Sequence, residues 1–323
     1  MQAIGGYFEL ADYEEGKGFP HQNGFLLNTG RNALEFILRS IGEVKRIYLP
    51  YYTCEVVLEP IKKLHIPYTF YHINLHLEIV EDLKLEKDEY IIANNYFGLK
   101  DAYIQHLAER YGHHLIVDCA QAFFAKPVPE MKAFYSPRKF VGVADGGVAY
   151  LGGLSNEVVE VNEIDCSDDH NSHLNKRKQF GAEAGFTDYQ ANEKKLDNQP
   201  IRKMSDDTKR NLDHIDYEKV IAKRRGNFVY LHKNLREKNL LQLPRMGDFA
   251  CPMVYPFMAR TNMELRKELI NNKIFVAKYW PNILQLGDYE LEYDFATLMI
   301  PIPCDQRYGE EEMNRINEII HSV

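Results

Sequence analysis

From Asn32 to Leu151 the chain alternates between amphipathic stretches and short apolar runs, and this alternation constrains the fold more than any other feature. Leu34, Ile37, Leu38 and Ile41 recur at the spacing of one helix face, which Gly42 closes. Arg46 to Pro50 reads as a strand ended by proline, Val56, Val57, Ile61 and Leu64 as a second helix, and Pro67 to Tyr71 as another strand. Tyr90 to Ala93 forms an apolar run that passes into Asn94, Asn95, Tyr96, Phe97 and Gly98; a helix over Ala102 to Tyr111 follows, then the buried strand Leu115 to Val117. Repeated strand-helix-strand units predict α/β architecture with a mostly parallel sheet.

After Leu151 the character changes. Residues 155 to 205 are polar and predict a solvated excursion; Asp165, Asp168, Asp169, His170 and His173 within it match no metal-ligand spacing. A long helix is expected from Asp206 to Leu240, followed by a strand over Phe249 to Met258 and a helix over Met263 to Asn271. Strands over Ile274 to Tyr279 and Thr297 to Pro303 and a closing helix over Glu310 to Val323 complete the pattern. The expected division is a large domain over 1–154, a polar linker over 155–205, and a smaller α+β C-terminal domain over 206–323, a length that suits two domains.

The stretch His113 to Leu151 carries a chemical pattern. The strand Leu115 to Val117 delivers Asp118 to its carboxyl end, where open α/β sheets bind ligands. Gln121 follows, then Ser136-Pro137-Arg138-Lys139 and Asp145-Gly146-Gly147. A lysine amine can form a Schiff base with the aldehyde of pyridoxal phosphate, while a carboxylate keeps the pyridine nitrogen protonated and the ring an electron sink. Asp118 and Lys139 are the candidates for these roles. Each has a plainer alternative, since strand-end aspartates cap turns and lysines are mostly solvated.

Leu27-Asn28-Thr29-Gly30-Arg31-Asn32 precedes the first helix, and Thr29 or Asn32 can cap it. Free N–H groups at such a helix start suit a phosphate, although a capped helix with no ligand is the commoner use. A nicotinamide-binding Rossmann reading needs G-x-G-x-x-G after the first strand, and no such run occurs. The net charge of -8 argues against a general nucleic-acid surface. Met1 to Leu27 has no basic segment before an apolar one, and no run approaches the roughly 18 apolar residues of a membrane span. Five scattered cysteines, Cys54, Cys119, Cys166, Cys251 and Cys304, read as reduced thiols, so a cytoplasmic protein is expected.

Taken together, these segments resemble the DegT/DnrJ/EryC1 group of fold-type-I pyridoxal phosphate enzymes, best known as sugar aminotransferases. Thr29 to Leu34 resembles the family's small-residue segment before its first helix, Leu49-Pro50-Tyr51-Tyr52-Thr53 its strand-Pro-x-aromatic-Thr turn, and Asn95-Tyr96-Phe97-Gly98 its aromatic-Gly strand end. Asp118-Cys119-Ala120-Gln121-Ala122 matches DxAQA, and Pro137-Arg138-Lys139 with Asp145-Gly146-Gly147 matches P-x-K…GG. Met204-Ser205-Asp206 through Arg224-Arg225 resembles the helix ending in paired arginines.

The resemblance implies that Lys139 carries pyridoxal 5'-phosphate as a Schiff base and shuttles the proton, that Asp118 pairs with the ring nitrogen, and that Gln121 contacts the ring or its 3-hydroxyl. It implies a phosphate site at Gly30, Arg31 and Asn32, and a homodimer with active sites at the subunit boundary. Phe134 stands where the family usually has a phosphate-binding serine, with Ser136 as the candidate replacement; Cys54 stands where an aromatic commonly stacks on the ring. That contact is left to Tyr52, Tyr96 or another residue, and Asn95 completes the expected cofactor site. The expected activity moves an amino group from an amino acid such as glutamate to a keto group on a nucleotide-linked sugar. Two alternatives remain: another small carbonyl acceptor, or a non-catalytic ligand-binding protein of the same fold, suggested by Phe134 and Cys54.

Overall fold

The structure is a computed structural model and describes residues 2–11, 18–154, 165–260, 262–285, 287 and 290–323. The strand β1 (Ile4–Gly5) stands apart from the main sheet, which begins with β2 (Phe25–Leu27). Helix α1 (Gly30–Ile41) is capped by Thr29, whose side chain accepts from the Asn32 N–H, and is stopped at Gly42 with φ 85°. There follow β3 (Arg46–Pro50), α2 (Leu58–Lys63), β4 (Tyr68–Tyr71), β5 (Glu89–Asn94), α3 (Asp101–Tyr111), β6 (Leu115–Cys119), β7 (Lys132–Tyr135) and β8 (Gly147–Leu151). The seven strands are ordered β2-β8-β7-β6-β5-β3-β4. The run from β7 through β4 is parallel, and β8 and β2 are antiparallel to their neighbours. The expected mostly parallel α/β sheet is observed.

Strand alternation divides this sheet between two cores. Ile92 of β5, Ile116 of β6 and Phe134 of β7 pack with Leu34, Ile37 and Leu38 of α1. Their neighbours Ile91, Val117 and Tyr135 face the opposite side, in a core that continues through Phe228 to Ile302 in the C-terminal region. The position at which a serine was expected is therefore occupied by a core side chain, with Phe134 only 2% exposed.

Beyond β8 the structure corrects three expectations. The excursion is not loop throughout: α4 (Ser172–Phe180) and α5 (Phe186–Lys195) lie within it, while residues 155–164 fall outside the described residues. Polar composition did not prevent helix formation, because Leu174 and Arg177 are buried and Lys176 pairs with Asp188 at 2.7 Å. The expected helix Asp206 to Leu240 is two helices, α6 (Asp206–Asp213) and α7 (Tyr217–Leu235). Asp216 divides them, its side chain accepting from the Lys219 N–H as an N-cap.

The remaining elements are β9 (Val254–Met258), α8 (Asn262–Asn271), β10 (Ile274–Phe275), α9 (Glu290–Leu298), β11 (Met299–Pro303) and α10 (Glu310–Ser322). Strands β9 and β11 pair antiparallel, and β10 joins β1 in parallel. The strand expected over Ile274 to Tyr279 is confined to β10, after which Val276 to Tyr279 leaves the sheet to line a cavity.

Candidate active site

The parallel strands end in a row of polar side chains. Asp118 is 8% exposed at the end of β6, and its Oδ1 accepts from the Ala120 N–H at 2.8 Å. Burial pushes its carboxyl above the usual range, and the positive charge of Lys139 offsets part of that rise. Asn94 is its register partner on β5, so both side chains leave the same face of the sheet. Asn94 donates from Nδ2 to Thr53 Oγ1 at 3.0 Å, and its Oδ1 is buried without a partner among the described residues.

Gln121 is fixed by its carbonyl. Its Oε1 accepts from the Phe97 N–H at 3.1 Å, which leaves Nε2 buried and unpartnered among the described residues. The Tyr96-Phe97-Gly98 turn makes this possible: Gly98 has φ 69°, and a Cβ there would lie 2.4 Å from the Cys251 carbonyl oxygen. Only glycine fits this turn.

Lys139 ends a single turn, Pro137–Lys139, that follows β7. It lines a cavity of about 660 Å³ together with Ser136, Arg138, Tyr7, Tyr189 and Tyr279. Cys54 stands near the same charges: burial raises its thiol pKa, Lys139 and Arg31 oppose the rise, and Asp118 adds to it. Gly30, the first residue of α1, brings its Cα side to within 3.6 Å of Ser136 Cβ, measured from where a Cβ would stand. The Asp145-Gly146-Gly147 segment holds this arrangement in register, since a Cβ on Gly147 would lie 2.1 Å from the Thr29 carbonyl oxygen.

The structure thus places Asp118, Lys139, Ser136 and Gly30 around one region. Other expected site residues are committed elsewhere. The Arg31 guanidinium bonds Glu59 at 2.8 Å and Asp197 at 2.6 Å, and Asn32 binds the Gln199 carbonyl at 2.9 Å, tying α1 to the chain after α5. Asn95 is placed by strand parity. It faces away from Asp118, donates to Asp101 at 2.6 Å and accepts from the Lys100 N–H at 2.9 Å, so it anchors the start of α3. Asn94 takes its place on the Asp118 face.

Tyr52 is fully buried against Trp280 and Phe295 and donates its hydroxyl to the Tyr279 carbonyl at 2.9 Å. It supports the cavity wall from behind and does not line it. Tyr7, Tyr189, Tyr279, Arg138 and Glu193 line the cavity and were not singled out from the sequence. Arg138 was within reach as the middle residue of the P-x-K motif; the others come from distant segments that no local pattern joins. Among the described residues, no group of three or more His, Cys, Asp or Glu side chains could hold a metal ion, and no helix is long and apolar enough to cross a membrane.

No protein-family model and no curated protein matches the chain. Solved structures do. A DegT/DnrJ/EryC1/StrS aminotransferase from Brucella abortus superimposes with TM-score 0.63 at 15% identity, covering 93% of this chain and 85% of that one. The fold is that of these aminotransferases. The sugar aminotransferase CalS13 from Micromonospora echinospora gives TM-score 0.64 at 14% identity over 93% of this chain and 87% of its own. The Bacillus subtilis NtdA protein, solved with bound cofactor PMP, gives 0.63 at 12% identity over 92% and 72%. Each is similar over most of this chain, so both the large sheet and the C-terminal region share the architecture.

Proposed function

We propose that this chain is a pyridoxal phosphate-dependent aminotransferase that moves an amino group from an amino acid, glutamate in the first instance, to a keto group on a nucleotide-linked sugar. The observation that carries the proposal is a buried carboxyl at a parallel strand end, Asp118, under the charge of a half-buried lysine, Lys139, in a fold shared with sugar aminotransferases.

The residues present fit the cofactor. Asp118 uses Oδ1 for the Ala120 N–H and keeps Oδ2 for a ring N–H, Gln121 Nε2 is a buried donor without an acceptor among the described residues, and the N-terminus of α1 adjoins Ser136. When bound, the cofactor supplies a ring that withdraws electrons from the substrate carbon.

The protein's part follows from its own side chains. Lys139 would hold the cofactor through Nζ, and its free amine would move a proton to and from the substrate carbon. Asp118 holds the proton on the ring nitrogen, a task favoured by exclusion of water from its carboxylate. Gln121 orients the ring through Nε2, and the backbone at Gly30 and Arg31 faces the phosphate with the positive end of α1. The cavity volume lies in the range of small-molecule sites, and its tyrosines suit a sugar ring. A homodimer in the cytoplasm belongs to the same reading.

An absorbance spectrum of the purified protein tests the proposal: a visible band that is lost on adding glutamate, with release of one equivalent of the corresponding keto acid, is the expected result. No band after incubation with the cofactor refutes it.

A further inference from the structure

Arg138 immediately precedes Lys139, and both side chains line the same cavity. A guanidinium presents five N–H donors in one plane, and its Nε with a neighbouring terminal nitrogen matches the two oxygens of a carboxylate. In Arg138 that edge is half used. Nη2 is bonded by the carboxylate of Glu193 on α5, while Nε is buried without a partner among the described residues.

The other arginines of the cavity have this edge closed. Arg177 donates from Nε to Glu9 at 2.7 Å and from Nη2 to the Gly5 carbonyl at 2.9 Å. Arg224 donates from Nε to Gln306 at 2.8 Å and from Nη2 to the Phe140 carbonyl at 3.1 Å. Glu193 is also the more exposed partner of its pair, 37% against 17% for Arg138, so its side chain has solvent to turn into. Helix α5 would stay in place when it does, because Asn192 Nδ2 donates to the Ala144 carbonyl at 2.9 Å and Tyr189 stacks on Tyr7 with ring centroids 4.8 Å apart.

We propose that Arg138 binds the α-carboxylate of the amino donor and that Glu193 is its resting counter-ion, which the donor displaces. The proposal rests on the aminotransferase reading above. An amino-acid donor carries its amino group and its carboxylate on one carbon, so the residue that grips the carboxylate must sit beside the one that exchanges the amine. Arg138 and Lys139 are adjacent in the chain and open on one cavity. Exchange of one carboxylate for another also leaves the net charge of the cavity unchanged, and the incoming group can fill Nε as well as Nη2.

Glutarate, a dicarboxylate with no amine to react, is the probe. Its binding to the cofactor-loaded protein is measured by calorimetry for the parent, Arg138→Leu, Arg138→Lys and Glu193→Gln, with the cofactor absorption band recorded in each. The expected dissociation constant rises roughly tenfold or more in Arg138→Leu, the scale of a charged hydrogen bond. It rises less in Arg138→Lys, which keeps the charge and loses the fork, and it falls in Glu193→Gln, while the band persists throughout.

Glutarate binding unchanged in Arg138→Leu, or not tightened in Glu193→Gln, overturns the proposal. So does an Arg138→Leu variant that keeps glutarate affinity and loses the cofactor, because Arg138 would then serve the cofactor phosphate. A parent protein with no cofactor band refutes the aminotransferase reading separately, and the same glutarate titrations on the cofactor-free proteins still decide whether Arg138 is a carboxylate site.

Discussion

The Asp145 carboxylate accepts two hydrogen bonds from Ser205, one from the backbone N–H at 2.9 Å and one from the hydroxyl at 2.8 Å. It also accepts from the hydroxyls of Thr208 and Ser167, and it is 1% exposed. The Asp-Gly-Gly turn after Lys139 and the Met-Ser-Asp start of α6 are therefore one structural unit, and Asp145 anchors the helix that follows the linker. Asp145→Ala leaves the buried Ser205 and Thr208 donors unpaired, with an expected loss of about 3 kcal/mol or more in urea unfolding. A loss below about 1 kcal/mol would mean that the unit is not cooperative with the rest of the fold.

Gly98 positions Gln121 through the Phe97 N–H. With φ 69° and the Cys251 carbonyl oxygen 2.4 Å from any Cβ, Gly98→Ala meets backbone on both counts. The expected cost is roughly 2 kcal/mol or more, from left-handed strain plus displacement of the loop. Thermal unfolding measures it, and an unchanged midpoint would show that the turn relaxes freely.

How much of this was legible in the sequence depends on what each residue interacts with. The placement of Asp118 at a strand end, of Lys139 in a turn and of the glycines where backbone leaves no room for a Cβ was readable because these constraints are local. Asn94 and Asn95 are chemically identical, and telling which of them shares the Asp118 face requires knowing where β5 stops alternating. Tyr52 was assigned to the ring by sequence position, and packing against Trp280, far along the chain, draws it into the core instead. The pairing of Arg138 with Glu193 had no sequence signal, since it joins a turn to a helix in a stretch whose composition reads as loop. The break between α6 and α7 was present as Asp216, a good N-cap inside an otherwise continuous apolar periodicity.

His21 provides a pH-dependent stability test. Its Nε2 donates to the Phe123 carbonyl at 2.6 Å, so Nδ1 accepts from the Tyr150 hydroxyl at 3.1 Å and the ring is held neutral. Burial lowers its pKa from the ordinary 6.5 to about 4. The folded state then binds the proton less tightly than the unfolded state, so the stabilisation is complete above pH 6.5 and is lost as the pH falls toward about 4. Across that window about 3 kcal/mol should disappear from the unfolding free energy. His21→Gln should flatten the profile, and an equally steep profile in the variant would assign the effect to other groups.

Asp118 shifts in the opposite direction. Because its carboxyl is raised in the folded protein, the cofactor-free protein loses stability as the pH rises from the ordinary aspartate range through the raised value, and stays lower above it. Cofactor-free Asp118→Asn should accordingly unfold at a higher temperature than the parent at neutral pH, with the gap closing in acid. The same variant should retain the cofactor poorly and run the glutamate half-reaction slower by roughly two orders of magnitude, the scale of one lost charge-stabilising contact. Equal half-reaction rates would remove Asp118 from the ring nitrogen.

The account stands on Lys139 as the residue that carries the cofactor, and covalent mapping tests it most directly. The cofactor-loaded protein is reduced with borohydride, digested, and the modified lysine located by mass spectrometry. The expected adduct is on the peptide containing Lys139, and it is absent from a Lys139→Ala variant that still folds. Lys132, at the other end of β7, is the instructive competitor, because burial lowers its pKa from the ordinary lysine value to about 8. An adduct on Lys132 or any other lysine would contradict the assignment of the site.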